Sequence, residues 1–247
     1  LPWTEAEAVL TPERVVVLPL GAASKEHGPH LPLRNDQILA DGFARRVVEA
    51  RPVALLPTLT YGFYPAFVEY PGSVSLSAEA QRDVVADICR SIARFGPRRF
   101  YVLNTGVSTA RPLQATAELL AREGILLRFT DLAKAGKAAE EAVRESKSPG
   151  THADEIETSM ILYLEPGAVH MERAVKDGER DAPGPLRRRP GSPGVLSPSG
   201  VFGDPTVATW QKGERIVAGM VEDILKDLDE LARAPLPPAA PAPVLAR

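Results

Sequence analysis

The chain has 247 residues, enough for one sizeable domain or two small ones. Its 44% hydrophobic and 25% charged content and net charge of -3 are those of an ordinary globular chain, and they exclude a basic face for nucleic acid. A single cysteine, Cys89, excludes an intramolecular disulfide framework and a cysteine-rich zinc site, and no apolar run reaches the roughly 18 residues of a membrane span. The chain begins at Leu1. The expectation is a cytoplasmic protein or, if Leu1 follows a cleaved signal peptide, a periplasmic or secreted one.

In chain order, RVVVLPL (14–20) is a continuous β-branched run and predicts a buried strand. DQILADGFARRVVEA (36–50) predicts a helix capped by Asp36. VALLPTL (53–59) predicts a second strand, and EYPGSVSLS (69–77) a turn leading to a short one. The helix expected over 77–96 has Ser77 as N-cap and Gly96 as its stop. It contains Cys89, read as a buried core thiol. RRFYVLN (98–104) is a third strand, 110–124 a helix ending in glycine, and ILLRFTDL (125–132) a fourth strand. A helix is expected over 153–166, ended by Pro166. A Pro/Gly-rich stretch covers 178–203, and in it Arg187, Arg188 and Arg189 read as a solvated loop. The last helix spans 205–232, with Asp204 at N-cap and Pro205 at N1. The reading is one domain over 1–233 with a disordered Pro/Ala-rich tail over 234–247.

Strands alternating with helices predict an α/β layer architecture with a mainly parallel sheet. Functional groups in such folds gather at the carboxyl ends of the strands. GAASKEHGPHLPLRND (21–36) leaves the first strand, and NTGVST (104–109) leaves the third, so the two loops are expected to meet. The first loop holds Lys25, Glu26, His27, His30 and Asp36, and imidazole with carboxylate suits zinc, manganese or iron. GTHADEIETS (150–159) holds His152, Asp154, Glu155 and Glu157. On a regular helix His152 and Glu157 point about 140° apart, so they share a site only if His152 lies in the turn before the helix. At a helix N-terminus the charged form of His152 is disfavoured. His170 reads as structural or exposed. Neither glycine cluster, 69–77 nor 200–209, matches a phosphate loop or a dinucleotide fingerprint.

LPLGAASKEHGPHLPLRND, YPGSVSLS, HADEIETSM and GVFGDPTVAT, in this order and spacing, resemble the creatininase (creatinine amidohydrolase) family from about Trp3 to the end of the last helix. The resemblance implies a three-layer α/β/α sandwich, metal-dependent hydrolysis of cyclic or linear C–N amide bonds and a homo-oligomer, several members being hexameric. It implies that His27 and Asp36 stand at metal-ligand positions and that His152 and Glu157 match the family's later His and Glu. It also implies losses. Lys25 stands where the family has a metal-binding glutamate. Gly106 stands where it has a metal-binding histidine, and Ser108 where creatininase has a glutamate. The family's substrate tryptophans have no match, since only Trp3 and Trp210 occur, so creatinine is not the expected substrate.

The expected function is therefore hydrolysis of a non-peptide or cyclic amide in a small molecule at an altered, mononuclear centre. The metal set is His27 and Asp36 with Glu26 or His30. Zinc leads, with manganese or iron as alternatives. His152, Lys25 and Glu157 are the catalytic set: His152 moves protons and Lys25 stabilises an oxyanion. The alternative is a metal-free or non-catalytic relative that binds a small ligand. No nucleic-acid or membrane partner is expected.

Overall fold

Val15–Leu20 (β1) is buried at every position and forms the middle of a four-stranded sheet. The structure, a computed structural model, describes residues 1–148, 151–180 and 184–239. Arg99–Asn104 (β3) runs beside β1 along its whole length, from Val15 opposite Arg99 to Leu20 opposite Asn104. Ala54–Leu55 (β2) pairs on the other side of β1, and Leu126–Phe129 (β4) on the outer side of β3. All pairs are parallel, in the order β2-β1-β3-β4.

The period of two in a strand divides the core. Val15, Val17, Tyr101 and Leu103 face one way, onto Asn35–Ala50 (α2), Glu155–Leu164 (α6) and Trp210–Arg233 (α7). Val16, Leu18, Leu20, Phe100 and Val102 face the other way, onto Ala78–Ala93 (α3) and Ala110–Ala121 (α4). Helices therefore cover both faces, as the expected three-layer α/β/α sandwich requires. Each fully buried Val or Leu contributes about 1.5–3 kcal/mol, which is why a sheet covered on both sides can be a run of apolar residues.

Several expectations are refined. Ser77 caps α3, its hydroxyl accepting from Ala80 N at 3.0 Å. The strand expected over 53–59 forms a ladder only at Ala54–Leu55. Pro57 has no N–H to donate, and beyond it only Leu59 returns to the sheet, donating to Pro19 O at 2.9 Å. The short strand expected near 69–77 does not form. Val74 and Leu76 each make a single backbone bond, to Ser24 O and Gly62 O. The helix expected from 205 begins at Trp210, and Pro205–Val207 is a separate 3₁₀ turn capped by Asp204. Trp3–Val9 (α1) and Lys137–Val143 (α5) are helices the pattern did not announce.

The Pro/Gly-rich stretch carries a second small sheet of Glu179–Arg180 (β5), Leu186–Arg187 (β6) and Val195–Leu196 (β7), in the order β5-β7-β6. This corrects the reading of the arginine run. Arg187 is 2% exposed because β6 packs beneath the turn at 65–67, while Arg188 and Arg189 stay exposed. Cys89 is a buried thiol, as expected, and burial pushes it up to about 12. His170 is exposed. Of the expected disordered tail, residues 240–247 lie outside the described residues, and Ala234 O accepts from Arg99 Nη2 at 2.9 Å. Among the described residues no helix is long and apolar enough to cross a membrane.

Candidate active site

The loop after β1 and the loop after β3 meet at the carboxyl edge of the sheet. Thr105 Oγ1 donates to Leu20 O at 3.0 Å and lies 3.3 Å from Asp36 O. Asp36 was expected to cap α2, but it does not. The N-cap position is Arg34, without a side-chain cap bond, and the Asp36 carboxylate points inward. Its Oδ2 lies 2.7 Å from Lys25 Nζ and its Oδ1 2.8 Å from His27 Nε2. Both are within hydrogen-bonding distance but poorly aligned. Lys25 is 4% exposed, His27 1% and Asp36 0%. Burial alone would raise the Asp36 pKa, but the Lys25 and His27 charges outweigh it and hold the carboxyl well below its usual range.

His152 sits in the turn before α6, the one place from which it can meet Glu157. Asp154 caps that helix, accepting from Ile156 N and Glu157 N. The turn is strained: Ala153 has φ 49°, the only positive φ of a non-glycine among the described residues. Such strain persists where neighbouring bonds over-determine it, and here Ala153 N donates to Glu157 Oε2 at 2.6 Å. His152 Nε2 lies 3.0 Å from Glu26 O and 3.2 Å from Glu26 Oε2, while Nδ1 faces Glu157 Oε2 at 3.7 Å. A carbonyl oxygen only accepts, so Nε2 carries a proton and Nδ1 is the nitrogen turned toward Glu157. Burial would lower the His152 pKa, but Glu26 and Glu157 outweigh it and raise it. The disfavour expected at a helix N-terminus is here opposed by these two partners. Two carboxylates at close range exceed a partial dipole charge.

Glu26 is thus a partner of His152 rather than of Asp36. Its carboxylate also accepts from Gly28 N, and Gly200 (φ 86°) presses against it so closely that a Cβ there would overlap it. His30 is not brought to the centre. Its Nε2 pairs with Thr158 Oγ1 at 2.8 Å, and burial, with the His27 charge, lowers its pKa to about 4. Of the expected set of His27, Asp36, Glu26 and His30, the fold brings His27 and Asp36 into contact, while Glu26 turns to His152 and His30 to Thr158. His27, His152 and Glu157 offer ligand atoms within 4.8 Å of one another.

Two aromatic residues escaped the sequence reading. Phe67 has its ring centroid 4.5 Å from that of His152 and 4.7 Å from Lys25 Nζ, and Tyr64 lies 5.5 Å from the same ammonium. The cluster YGFYPAF (61–67) carried no chemical motif, and only its aromatic density could have marked it. Beside Glu157 opens a cavity of about 610 Å3. Leu39, Phe43, Ile156 and Met160 lie along it, and Arg144 lies on its wall, paired with Asp154 at 3.1 Å.

A family model for creatinine amidohydrolases matches residues 1–228. The chain belongs to the creatininase family. It is 32% identical over 225 residues to the mycofactocin precursor peptide peptidase of Mycobacterium tuberculosis, covering 85% of this chain and 83% of that one. It is 27% identical over 248 residues to the creatinine amidohydrolase of Pseudomonas putida, covering 93% and 95%. A solved creatininase described as the Mn form superposes with a TM-score of 0.82 at 25% identity, covering 95% of this chain and 97% of that one. A mutant creatininase described as Zn-Zn type superposes at 0.78, with 25% identity and 95% and 97% coverage. These relatives are hydrolases by name, and this chain is a hydrolase-family member whose bond type they do not agree on.

Does this creatininase-family centre suit a metal? Around His27, His152 and Glu157 it does. His27 Nδ1 lies 2.9 Å from Lys25 O, which leaves Nε2, 2.8 Å from Asp36 Oδ1, as the nitrogen free of an aligned hydrogen bond. His152 Nδ1 faces a carboxylate, and Glu26 orients the far side of the His152 ring in the way carboxylates support metal-bound imidazoles. A tetrahedral shell at about 2.1 Å spaces its donors roughly 3.4 Å apart. The 3.7 Å between Nδ1 and Oε2 is close to this, and the His27 donor lies within 4.8 Å of both. Around Asp36 it does not. Lys25 already lies against it, and Gly106, at the end of β3, brings no ligand.

Proposed function

We propose that this creatininase-family protein hydrolyses an amide C–N bond, with His152 as the proton carrier. The observation that carries the reading is His152 held between Glu26 and Glu157, next to the Lys25–Asp36–His27 group. Glu26 fixes the ring and keeps the Nε2 proton. Glu157 supports a second proton on Nδ1, which can pass to a leaving nitrogen. Lys25 lends positive charge toward a carbonyl oxygen that becomes negative. In a metal-loaded form, a divalent ion, zinc or manganese, would be held by His27, His152 and Glu157; it would take His152 Nδ1 in place of that proton, lower the pKa of a water and polarise the carbonyl.

The sequence alone favoured a non-peptide or cyclic amide. With peptide peptidases among the relatives, peptide bonds are included, and the cavity beside Glu157 has room for more than one small ring. A homo-oligomer belongs to this reading, and sedimentation equilibrium tests it. The decisive assay is a panel of peptides, cyclic amides and linear amides with Zn- or Mn-supplemented protein. His152→Ala should lower kcat/KM about 10²–10⁴-fold on the responding substrate. If no amide is cleaved at any pH, hydrolysis is wrong. The second reading then takes its place: a pocket that binds a small ligand without turning it over. The short Lys25–Asp36 pair favours that reading, because it completes the charge balance without a metal.

A further inference from the structure

Asp36 is fully buried, and the space around its carboxylate is closed. Lys25 Nζ lies against Oδ2 and His27 Nε2 against Oδ1. The ammonium has the Phe67 ring at 4.7 Å and the Tyr64 ring at 5.5 Å, so it sits in a desolvated cation–π setting rather than in water. A Cβ on Gly106 would meet Thr109 Oγ1 at 3.0 Å and Tyr64 Cε1 at 3.1 Å, so a ligand side chain at that position would have to push both aside by a few tenths of an ångström.

We infer that the Lys25 ammonium permanently takes the electrostatic place of one divalent ion. The chain then holds no more than one such ion, at His27, His152 and Glu157. Asp36 keeps its position beside Lys25 when metal is withdrawn. The contrast is with the creatininase described as Zn-Zn type. A buried carboxylate needs a cation beside it, and a lysine tethered by the chain supplies one at no cost in binding entropy. The inference does not depend on turnover, so it stands or falls apart from the hydrolase reading.

The test measures bound metal and melting temperature on the whole chain. Wild-type protein saturated with Zn2+ or Mn2+ and desalted should carry at most one ion per chain. Lys25→Met leaves Asp36 without its partner and should melt roughly 10 °C lower in chelator, and millimolar Mn2+ or Zn2+ should restore at least half of that loss. Lys25→Glu should gain a second ion per chain. Two ions per wild-type chain would overturn the inference. So would a Lys25→Met protein that melts within 2 °C of wild type in chelator. If both variants are destabilised and neither responds to metal more than wild type, Lys25 is an ordinary ion pair and the inference fails. Should neither variant fold, the wild-type ion count decides alone.

Discussion

His30 offers a test of the site's architecture that needs no substrate. It is fully buried, with Nε2 on Thr158 Oγ1 at 2.8 Å and Nδ1 without a partner among the described residues. Burial, together with the His27 charge, lowers its pKa from 6.5 to about 4. The folded state therefore prefers the neutral ring. For a base with a depressed pKa, the unfolded chain takes up the proton first, so its stability contribution is present above 6.5 and is lost as pH falls toward 4. At 1.36 kcal/mol per unit, the loss between pH 7 and pH 4.5 comes to about 2.4 kcal/mol. His152 works in the opposite sense. Its pKa is raised, so its contribution is present below 6.5 and is lost as pH rises through the folded value. A single pH curve thus mixes the two, and a variant separates them. His30→Gln keeps a polar side chain toward Thr158 but does not titrate. Urea unfolding at pH 7, 6, 5 and 4.5 should show wild type ahead by about 1 kcal/mol at pH 7, the worth of a buried hydrogen bond. The variant should overtake it by pH 4.5. A gap that stays constant within about 0.5 kcal/mol across this range would refute the buried, neutral His30.

Gly106→His should not restore a metal ligand. Its Cβ would crowd Thr109 Oγ1 at 3.0 Å and Tyr64 Cε1 at 3.1 Å, so a loss of about 2 kcal/mol in urea unfolding and no added metal are expected. Ala153→Gly relieves a left-handed backbone worth about 1–2 kcal/mol but removes a buried methyl worth about 0.8 kcal/mol. A small gain in melting temperature should accompany any change in turnover. Phe67→Ala takes away the ring over both Lys25 and His152. It should cost about 0.5–2 kcal/mol in unfolding and lower kcat more than it raises KM. Ser77→Ala, far from the chemistry, should cost about 1 kcal/mol through the lost α3 cap and leave metal content unchanged.

Much of the fold could be read without coordinates, because a two-sided sheet writes itself into the chain. Val15–Leu20 has to be apolar at every position, and Ser77 marks its helix start by local chemistry. The small sheet of β5, β6 and β7 could not be read. Its strands are two residues long and depend on packing against Phe67, Tyr70 and Phe202 rather than on any period. Arg187 was misread for the same reason, since three consecutive arginines look solvated until one is folded under a turn.

The residue types of the site, and the segments that hold them, follow from the sequence by itself: Lys25, Glu26, His27 and Asp36 after one strand, His152 just before one helix and Glu157 in its first turn. The pairing came only with the tertiary structure. Glu26 could have gone to a metal with His27, but it goes to His152, 126 positions away in the chain. Asp36 could have capped α2, but it takes Lys25. The physical reason is burial. Once all these groups leave water, each charge must settle on the nearest opposite charge in space, and distance along the chain does not say which that is.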